Sequence, residues 1–244
     1  MRNHETIFVI IPALNEAASI GQVIAQIPDW VDHIIVGDNG STDDTCEVAI
    51  AAGAQVVIEL RKGYGSACLA ALGVMGDAND EKSINRSCPD VVVFIDADLS
   101  DYPTQMDRLV DPIVGGGVDM VIGSRVLGDR ERGALTLQQR FGNGLACLLI
   151  RIFWRRKHTD LGPFRAIRYQ ALERLSMDDK DWGWTVQMQV RAAKLKLSVV
   201  EVAVDYRKRI GKSKISGTVR GVIAAGVKIL SVIFVEAWRS LRGK

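Results

Sequence analysis

The sequence is poor in the residues that build zinc sites and disulfide frameworks. Its 244 residues include only four cysteines and three histidines. The cysteines, at positions 46, 68, 88 and 147, show no CxxC or CxxxxC spacing, and the histidines are scattered along the chain. This pattern argues against a zinc site and is typical of free thiols in a reducing cytoplasm.

Long apolar runs are also absent. No segment reaches the roughly 18 uncharged apolar residues that a transmembrane helix requires. The nearest candidate, "GVIAAGVKILSVIFVEAW" (residues 221–238), is interrupted by Lys228 and Glu236, so we expect a helix that packs on the domain or lies on a membrane surface. The N-terminus leads directly into "TIFVIIPALNE". We therefore expect no signal peptide and a cytoplasmic protein, with a peripheral position on the inner face of the plasma membrane as the alternative.

Two common phosphate-binding motifs are missing. The chain contains no GxGxxG, which disfavours a dinucleotide-dependent oxidoreductase, and "GKS" at 211–213 is preceded by Tyr206 where a Walker A loop requires glycine. The net charge is only +2, so nothing indicates a nucleic-acid partner. Positive charge is nevertheless concentrated between residues 205 and 220, which indicates an anionic ligand, a membrane surface or simply a solvated face.

The sequence does contain a series of short Val- and Ile-rich runs that do not alternate with polar residues. They are "TIFVIIP", "HIIVGD", "AQVVIEL", "DVVVFIDAD" and "DMVIGSR". Continuous apolar runs of this length are typical of strands buried on both faces, as in a parallel sheet. Helix-like stretches separate them, the first with Asn15 as its expected N-cap. The pattern predicts an α/β fold with a mostly parallel, twisted sheet flanked by helices.

Polar, charged or glycine residues follow each of the five predicted strands. Ligands bind beyond the carboxyl ends of strands in open α/β sheets, so five such ends at one sheet edge predict a site. The residues concerned are Pro12 to Glu16, Asp38 to Asp43, Arg61 to Gly65, Asp96 to Asp98, and Ser124 with Arg125.

Within this set, Asp96 and Asp98 have a specific chemical logic. Two carboxylates one residue apart at a strand end can approach one hard cation, and Mg²⁺ or Mn²⁺ is often held by such a pair together with substrate phosphates. A DxD pair alone is a weak signal, since capping or solvated acids also occur there. Four other strand ends with polar, charged or glycine residues are expected at the same edge of the sheet, and this favours metal and diphosphate binding. Asp101 is expected to cap or turn the chain ahead of Pro103 and is left out of the site.

Taken together, these stretches resemble an inverting family 2 glycosyltransferase of GT-A fold, and more narrowly its dolichyl- or polyprenyl-phosphate glucosyl/mannosyltransferase-like branch. The resemblance covers nearly the whole chain in the expected order. The stretches that carry it are "IPALNEAASI", "VGDNGSTDDT", "RKGYGSA", "FIDADLSDYP", "VIGSR", "TDLGPFRAIR" and "YRKRIGKSKISGT".

The resemblance implies a role for each matching residue. A nucleotide-sugar pocket would include Pro12, Ala13, Asn15, Glu16, Asp38, Lys62, Gly63, Asp96, Ala97 and Asp98. Asp38 would face the base, Asp96 would meet the sugar nucleotide, and Asp98 with Asp96 would hold Mg²⁺ or Mn²⁺. Asp160 would be the base or the group that positions the acceptor. The cations near the phosphates would be Arg125 and Arg209 with Ser213 and Lys214.

The implied architecture is one GT-A domain over residues 1–244. Residues 1–125 would form the nucleotide-sugar-binding half, residues 126–217 the acceptor-side half, and residues 218–244 a C-terminal amphipathic helix that could face a membrane. The long C-terminal transmembrane hairpin of many relatives is missing from the sequence. Gln187 also stands where relatives commonly carry an acid, which removes one candidate base.

The resemblance leaves the acceptor open. The leading hypothesis is transfer of a hexose from UDP-glucose or GDP-mannose to a polyprenyl-phosphate-like lipid, because a phosphate acceptor is already an anion and needs little proton removal. The second is the same chemistry on a soluble hydroxyl compound or glycan, with Asp160 as the base. A third, of another class, is a nucleotide-sugar-binding protein without turnover, and the intact Asp96 and Asp98 pair counts against it.

Overall fold

We describe residues 1–75, 88–211 and 219–242 of a computed structural model. Seven strands form one sheet in the order β3-β2-β1-β4-β6-β5-β7. Their bounds are β1 (Ile7–Ala13), β2 (His33–Asp38), β3 (Gln55–Ile58), β4 (Val91–Phe94), β5 (Met120–Ser124), β6 (Arg165–Arg168) and β7 (Val199–Ala203). Strand β6 is antiparallel to its neighbours β4 and β5, and the other pairs are parallel. The predicted mostly parallel α/β sheet is thus confirmed.

Helices cover both faces of this sheet. They are α1 (Ile20–Ala25), α2 (Thr45–Ala51), α3 (Tyr64–Gly73), α4 (Met106–Val114), α5 (Leu137–Trp154), α6 (Tyr169–Leu175), α7 (Trp184–Lys194) and α8 (Val219–Leu241). Helices α1, α2 and α4 contribute to the core on one face, and α3, α6 and α7 to the core on the other. Every residue of β1 is buried, with Val9 in the first core and Ile10 in the second. This two-sided burial explains why the strand sequences do not alternate.

A third apolar cluster joins α5, α7 and α8. It contains Ile150 of α5, Val186 and Val190 of α7, and Val232 and Ile233 of α8. Helix α8 therefore packs on the domain. Among the helices of residues 1–75, 88–211 and 219–242, none is long and apolar enough to cross a bilayer.

Two local predictions about caps are wrong. Helix α1 begins at Ile20, and Asn15 instead adopts a left-handed conformation with φ of 51° in the preceding loop. Asp101 does not cap the short 3-10 turn at Pro103–Gln105, because no side-chain cap occurs there and the residue before the turn is Tyr102. Asp101 instead forms an isolated β-bridge with Tyr206 and is 1% exposed. Buried polar residues of this kind depend on chain segments far away in the sequence, which a local pattern does not contain.

Candidate active site

The carboxyl ends of β1, β2 and β4 surround a pocket of about 690 Å³. Parallel strands place these ends at one edge of the sheet, as the sequence predicts. The residues that line the pocket are Pro12, Ala13, Leu14, Glu16, Asn39, Lys62, Gly63, Tyr64, Ala67, Asp96, Ala97, Asp98, Asp181, Trp182, Arg209, Ala224 and Lys228. Nine of the residues to which the resemblance gives a role are therefore brought together in one cavity.

Asp96 and Asp98 lie just beyond the end of β4. The Asp96 carboxylate accepts a hydrogen bond from the Tyr64 hydroxyl at 3.1 Å. The Asp98 carboxylate accepts one from the Ser100 backbone N–H at 2.9 Å and lies 3.1 Å from the Arg209 guanidinium. Burial and the negative charge of Asp98 raise the pKa of Asp96 to about 7, although Tyr64 and Arg209 act in the opposite direction. When Asp96 and Asp98 are both ionised, the nearby positive charge therefore does not fully offset their negative charge.

These two carboxylates suit a hard divalent cation. Carboxylate oxygens are the ligands that Mg²⁺ and Mn²⁺ prefer, and a cation would offset the burial and the repulsion by Asp98 that together raise the pKa of Asp96. Within the described residues no group of three or more acidic, histidine or cysteine side chains is arranged to hold a metal alone. The remaining ligands would have to come from a bound diphosphate and water, which is the usual arrangement for Mg²⁺.

Arg209 links the acidic pair to the loop after β1. Its guanidinium donates to a Glu16 carboxylate oxygen at 3.0 Å while it pairs with Asp98. The backbone N–H of Ile210 donates to the Asp98 carbonyl at 2.9 Å, which fixes this segment against the end of β4. The pocket thus holds one arginine between two carboxylates, in reach of the position a diphosphate would occupy next to the acidic pair.

A loop built around Asn39 forms the next wall. The Asn39 side-chain amide donates to the carbonyls of Glu59 and Arg61 at 3.0 and 2.6 Å and accepts from the Gly63 N–H at 2.6 Å. Lys62 donates to the carbonyl of Asn39 at 2.8 Å. Asn39 belongs to the predicted strand end Asp38 to Asp43, but the family resemblance implies no role for it. Its place beside Asp38 at a strand end was the only sequence signal for it.

Asp38 and Asn15 do not line the pocket. Asp38 is 1% exposed, and its carboxylate accepts from the backbone N–H groups of Gly40 and Ser41 at 3.0 and 2.9 Å. The Asn15 side-chain oxygen accepts from the Thr42 N–H at 2.7 Å. Both side chains hold the loop after β2 in its conformation through these hydrogen bonds. They support the pocket indirectly and do not contact its interior.

Glycines in the loop before α3 and in its first turn allow close contact with the segment 178–183. Gly63 has φ of 139°, and a Cβ atom there would lie 2.1 Å from the Lys180 carbonyl oxygen. This segment brings Asp181 and Trp182 to the pocket. Gln187 of α7 folds it, accepting from the N–H groups of Asp178 and Asp179 at 3.1 and 2.9 Å and donating to the Asp178 carboxylate at 2.7 Å. A glutamate at 187 could not donate to that carboxylate, which gives the glutamine a structural reason.

Arg125 and Asp160 form a buried ion pair next to this region. The guanidinium and the backbone N–H of Arg125 make three hydrogen bonds to the Asp160 carboxylate, each 2.8 Å long. Burial raises the pKa of Asp160, but the pairing with Arg125 outweighs it and the net pKa is below its usual value. Both carboxylate oxygens are occupied and the residue is 1% exposed. Neither residue lines the pocket, and the same bonds set the direction of the Arg125 guanidinium.

Comparison with known proteins places the chain in an enzyme family. The sequence profile described as "Glycosyl transferase family 2" matches residues 8–176, which is more than half of the chain. The chain belongs to glycosyl transferase family 2. An uncharacterized glycosyltransferase of Mycobacterium tuberculosis is 36% identical over 234 residues, covering 94% of this chain and 98% of that protein.

Two further relatives of this family 2 transferase have more informative names. Glucosyl-3-phosphoglycerate synthase of Mycolicibacterium paratuberculosis is 39% identical over 130 residues, covering 48% of this chain and 36% of that protein. A crystal structure of the M. tuberculosis enzyme of that name, in complex with Mn²⁺, UDP-glucose and glycerol 3-phosphate, has a TM-score of 0.72 and 25% identity. The similarity covers 96% of this chain and 80% of that one. The fold expected from the resemblance, GT-A, is therefore confirmed.

Two of the expected site residues of this family 2 transferase, Ser213 and Lys214, lie outside the described residues. The sequence did not indicate Trp182, Asp181 or Lys228, which complete the pocket wall. Lys228 of α8 lies 2.9 Å from the Asp179 carboxylate and 3.2 Å from that of Asp181. Helix α8 thus forms part of the wall of the candidate active site.

Proposed function

We propose that this family 2 transferase moves a hexose from a nucleoside diphosphate sugar to an anionic acceptor with inversion, in a single displacement. UDP-glucose is the favoured donor, with GDP-mannose as the alternative. The observation that carries the proposal is the Asp96 and Asp98 pair, with Arg209 beside it, in a pocket large enough for a nucleotide sugar. The crystal structure of a relative with UDP-glucose and Mn²⁺ supports this choice of donor.

We further propose that Asp98 and Asp96 would hold Mg²⁺ or Mn²⁺ together with the donor diphosphate. A metal in this position neutralises charge on the departing diphosphate. Arg209 stabilises the same charge from the protein side. The division of the chain that we propose is the one implied by the resemblance: residues 1–125 for the nucleotide sugar, residues 126–217 for the acceptor, and residues 218–244 as a C-terminal helix that could face a membrane.

Asp160 in this proposal positions the acceptor through Arg125. A carboxylate whose two oxygens already accept three hydrogen bonds from one arginine is a poor proton acceptor. Its lowered pKa points in the same direction. Arg125, held rigidly by this pairing, would bind an acceptor phosphate or carboxylate, with Ser213 and Lys214 as proposed partners in the same task.

Two classes of acceptor are compatible with an arginine on the acceptor side. A soluble phosphorylated hydroxyl compound is favoured by the relatives named glucosyl-3-phosphoglycerate synthase, one of them crystallised with glycerol 3-phosphate. A polyprenyl-phosphate-like lipid remains the second candidate, because basic and aromatic residues are exposed on α5 and α8. The enzyme would meet a lipid acceptor at the inner face of the plasma membrane and a soluble acceptor in the cytoplasm.

The decisive assay measures release of UDP from UDP-glucose in the presence of Mn²⁺. Parallel reactions contain 3-phosphoglycerate, polyprenyl phosphate in detergent, or neither acceptor. Stimulation by one acceptor identifies its class, and product analysis confirms the transferred hexose. Tight UDP binding with neither transfer nor donor hydrolysis would instead support a binding protein without turnover and overturn the proposal.

The metal role is tested by Asp98→Asn. We expect the variant to lose most of the gain in UDP affinity that Mn²⁺ provides, with a Kd about tenfold or more above that of the wild type, because one of two charged ligands is lost. Isothermal titration with UDP, with and without Mn²⁺, measures this effect without any turnover. The matched control is Asp44→Asn, an exposed acid without a capping bond at the start of α2. Equal Mn²⁺ dependence in wild type and Asp98→Asn would contradict the assignment.

A further inference from the structure

Exposed apolar side chains are concentrated on the outer surfaces of α5 and α8. On α5, Leu148 is 51% exposed, Ile152 61% and Phe153 41%, and on α8 Phe234 and Trp238 are each 52% exposed. We call these five residues the α5–α8 face. Large exposed aromatic residues on two neighbouring helices are unusual on a monomer surface and mark an interaction site.

The two helices present these residues as one surface. The rings of Phe153 and Phe234 meet edge to face at 5.9 Å between centroids. The indole N–H of Trp154 donates to the Ser240 hydroxyl at 3.4 Å, which ties the end of α5 to the end of α8. Trp238 lies one helical turn beyond Phe234 and therefore on the same side of α8. The face is thus continuous across the helix pair.

The charges around the face are almost entirely positive. The sequence from residue 132 to residue 159 contains six arginines and lysines and no acid, and Arg151, Arg155, Arg156 and Lys157 are exposed at the end of α5. On α8 the guanidinium of Arg242 stacks over the Trp238 ring at 3.7 Å.

The acid that α8 does contain does not offset these cations at the surface. Glu236 is 3% exposed and pairs with Arg191, Lys194 and Arg239. No acidic side chain of α5 or α8 that the structure describes is therefore exposed beside the α5–α8 face.

We propose that the α5–α8 face docks onto an anionic lipid bilayer. Exposed Phe, Trp and Ile side chains suit insertion at the acyl boundary, and neighbouring arginines and lysines are attracted to anionic headgroups. Stacking of Arg242 on Trp238 is the arrangement expected where an aromatic ring sits at the level of the headgroups. This docking does not depend on which acceptor the enzyme uses.

A second copy of the chain is a poorer occupant of the same face. Two copies meeting there would bring two clusters of four exposed cations together without an exposed acid to pair with them, and like charges at an interface oppose association. An acidic protein would satisfy the cations but would leave the exposed aromatic rings without an apolar partner. A bilayer with anionic headgroups satisfies both features.

Docking there would also orient the donor pocket. Ala224 and Lys228 line the pocket, and Trp238 follows ten residues later on the same helix, about 15 Å along its axis. Helix α8 would therefore lie along the membrane surface with its first half at the pocket and its second half in the headgroup region. The pocket would remain within reach of a lipid headgroup as well as of solvent.

The test is cosedimentation of the full chain with lipid vesicles. We expect binding to phosphatidylcholine vesicles that contain phosphatidylglycerol, little binding to phosphatidylcholine alone, and weaker binding as salt is added. The double variant Phe234→Gln/Trp238→Gln should bind about tenfold or more weakly, because two apolar side chains are lost. Ile50→Gln is the matched control, since Ile50 is 61% exposed on α2, away from the face.

A second variant, Arg155→Gln/Arg156→Gln/Lys157→Gln, keeps the test conclusive if the aromatic variant does not fold. Wild-type protein that stays in the supernatant with anionic vesicles overturns the proposal, as do variants that bind like wild type. A dimer by light scattering that the aromatic variant converts to monomer also overturns it in favour of a second copy. Release of UDP with a soluble acceptor, measured on the same variants without vesicles, should be unchanged. Wild-type protein that neither transfers the hexose nor hydrolyses the donor with either acceptor would refute the proposed function and leave the docking result standing.

Discussion

Replacing Gly65 with alanine should destabilise the protein and weaken donor binding together. Gly65 lies in the first turn of α3, and a Cβ atom there would be 2.0 Å from the Asp179 carbonyl oxygen and 2.8 Å from the carbonyl carbon. Both are backbone atoms, so no side-chain rotation relieves the clash. The segment 178–183 would have to move by about 1 Å or more to restore an ordinary contact distance.

That movement would break hydrogen bonds as well as packing. The N–H of Gly65 donates to the Asp181 carbonyl at 3.1 Å, and the N–H of Ser66 donates to the Lys180 carbonyl at 2.9 Å. Overpacking costs about 1–3 kcal/mol and each lost hydrogen bond about 1 kcal/mol, while alanine recovers up to about 1 kcal/mol of helix propensity. We expect a net loss of about 2–4 kcal/mol in the free energy of unfolding.

Gly73→Ala in the same helix is the matched control. No heavy atom lies within 4 Å of a Cβ at Gly73, so the substitution should be neutral or stabilise by up to about 1 kcal/mol. Urea unfolding measures stability, and titration with UDP and Mn²⁺ measures donor affinity. Equal stability of the two variants would refute the packing argument. A destabilised Gly65→Ala protein with unchanged UDP affinity would refute the role of segment 178–183 as a wall of the donor pocket.

Two further predictions concern buried charge. Asp160→Asn should lower the free energy of unfolding by about 3–5 kcal/mol and abolish transfer, since it leaves Arg125 buried without its anion. Asp178→Asn, whose carboxylate pairs with Arg191 but is 64% exposed, should cost about 1 kcal/mol or less by the same unfolding assay. Burial, with the nearby cations Arg165 and Arg156, lowers the pKa of His158 to about 4 from the usual 6.5. In the unfolded chain His158 binds a proton near pH 6.5, whereas in the folded protein it binds one only near pH 4. The free energy of unfolding therefore falls as the pH drops from about 6.5 to about 4. His158→Gln should reduce this fall by about 2–3 kcal/mol in unfolding curves across that range, and an unchanged pH profile would contradict the assignment.

Much of the fold could be predicted because the controlling interactions are local in the sequence. The run Val91 to Phe94 is continuously apolar because both faces of β4 are covered, and the same holds for β1. Asp96 and Asp98 follow directly from the end of that strand, and the sheet places them in the pocket. Because these carboxylates directly follow the strand in the chain, predicting where the strand ends also predicts where they lie in the fold.

Other parts of the site depend on segments that are far apart in the chain. Asp181, Trp182 and Lys228 reach the pocket because the segment 178–183 packs against the two glycines at the start of α3, and α8 packs against α7. No periodicity or motif near these residues records that contact. The orientation of Asp38 toward backbone N–H groups, rather than the pocket, likewise depends on how its loop closes.

Asp101 is a residue for which the local sequence pattern and the long-range packing lead to different results. Its position ahead of Pro103 predicts a cap, yet it is buried beside Tyr206 and neither carboxylate oxygen has a hydrogen-bond partner among the described residues. Burial, reinforced by Asp96, raises its pKa well above the usual value. The segment that buries it arrives about a hundred residues later in the chain, which no local reading of "DLSDYP" contains.

The sequence by itself therefore determined the class of the sheet, the sheet edge that carries the pocket and the acidic pair that lines it, because strand burial and strand ends depend on consecutive residues. Only the tertiary structure decided that Asp160 is committed to Arg125, that Gln187 folds a wall of the pocket, and that α8 connects the donor site to an exposed aromatic and basic face. Those outcomes depend on long-range packing and on which polar groups find partners once the chain has folded.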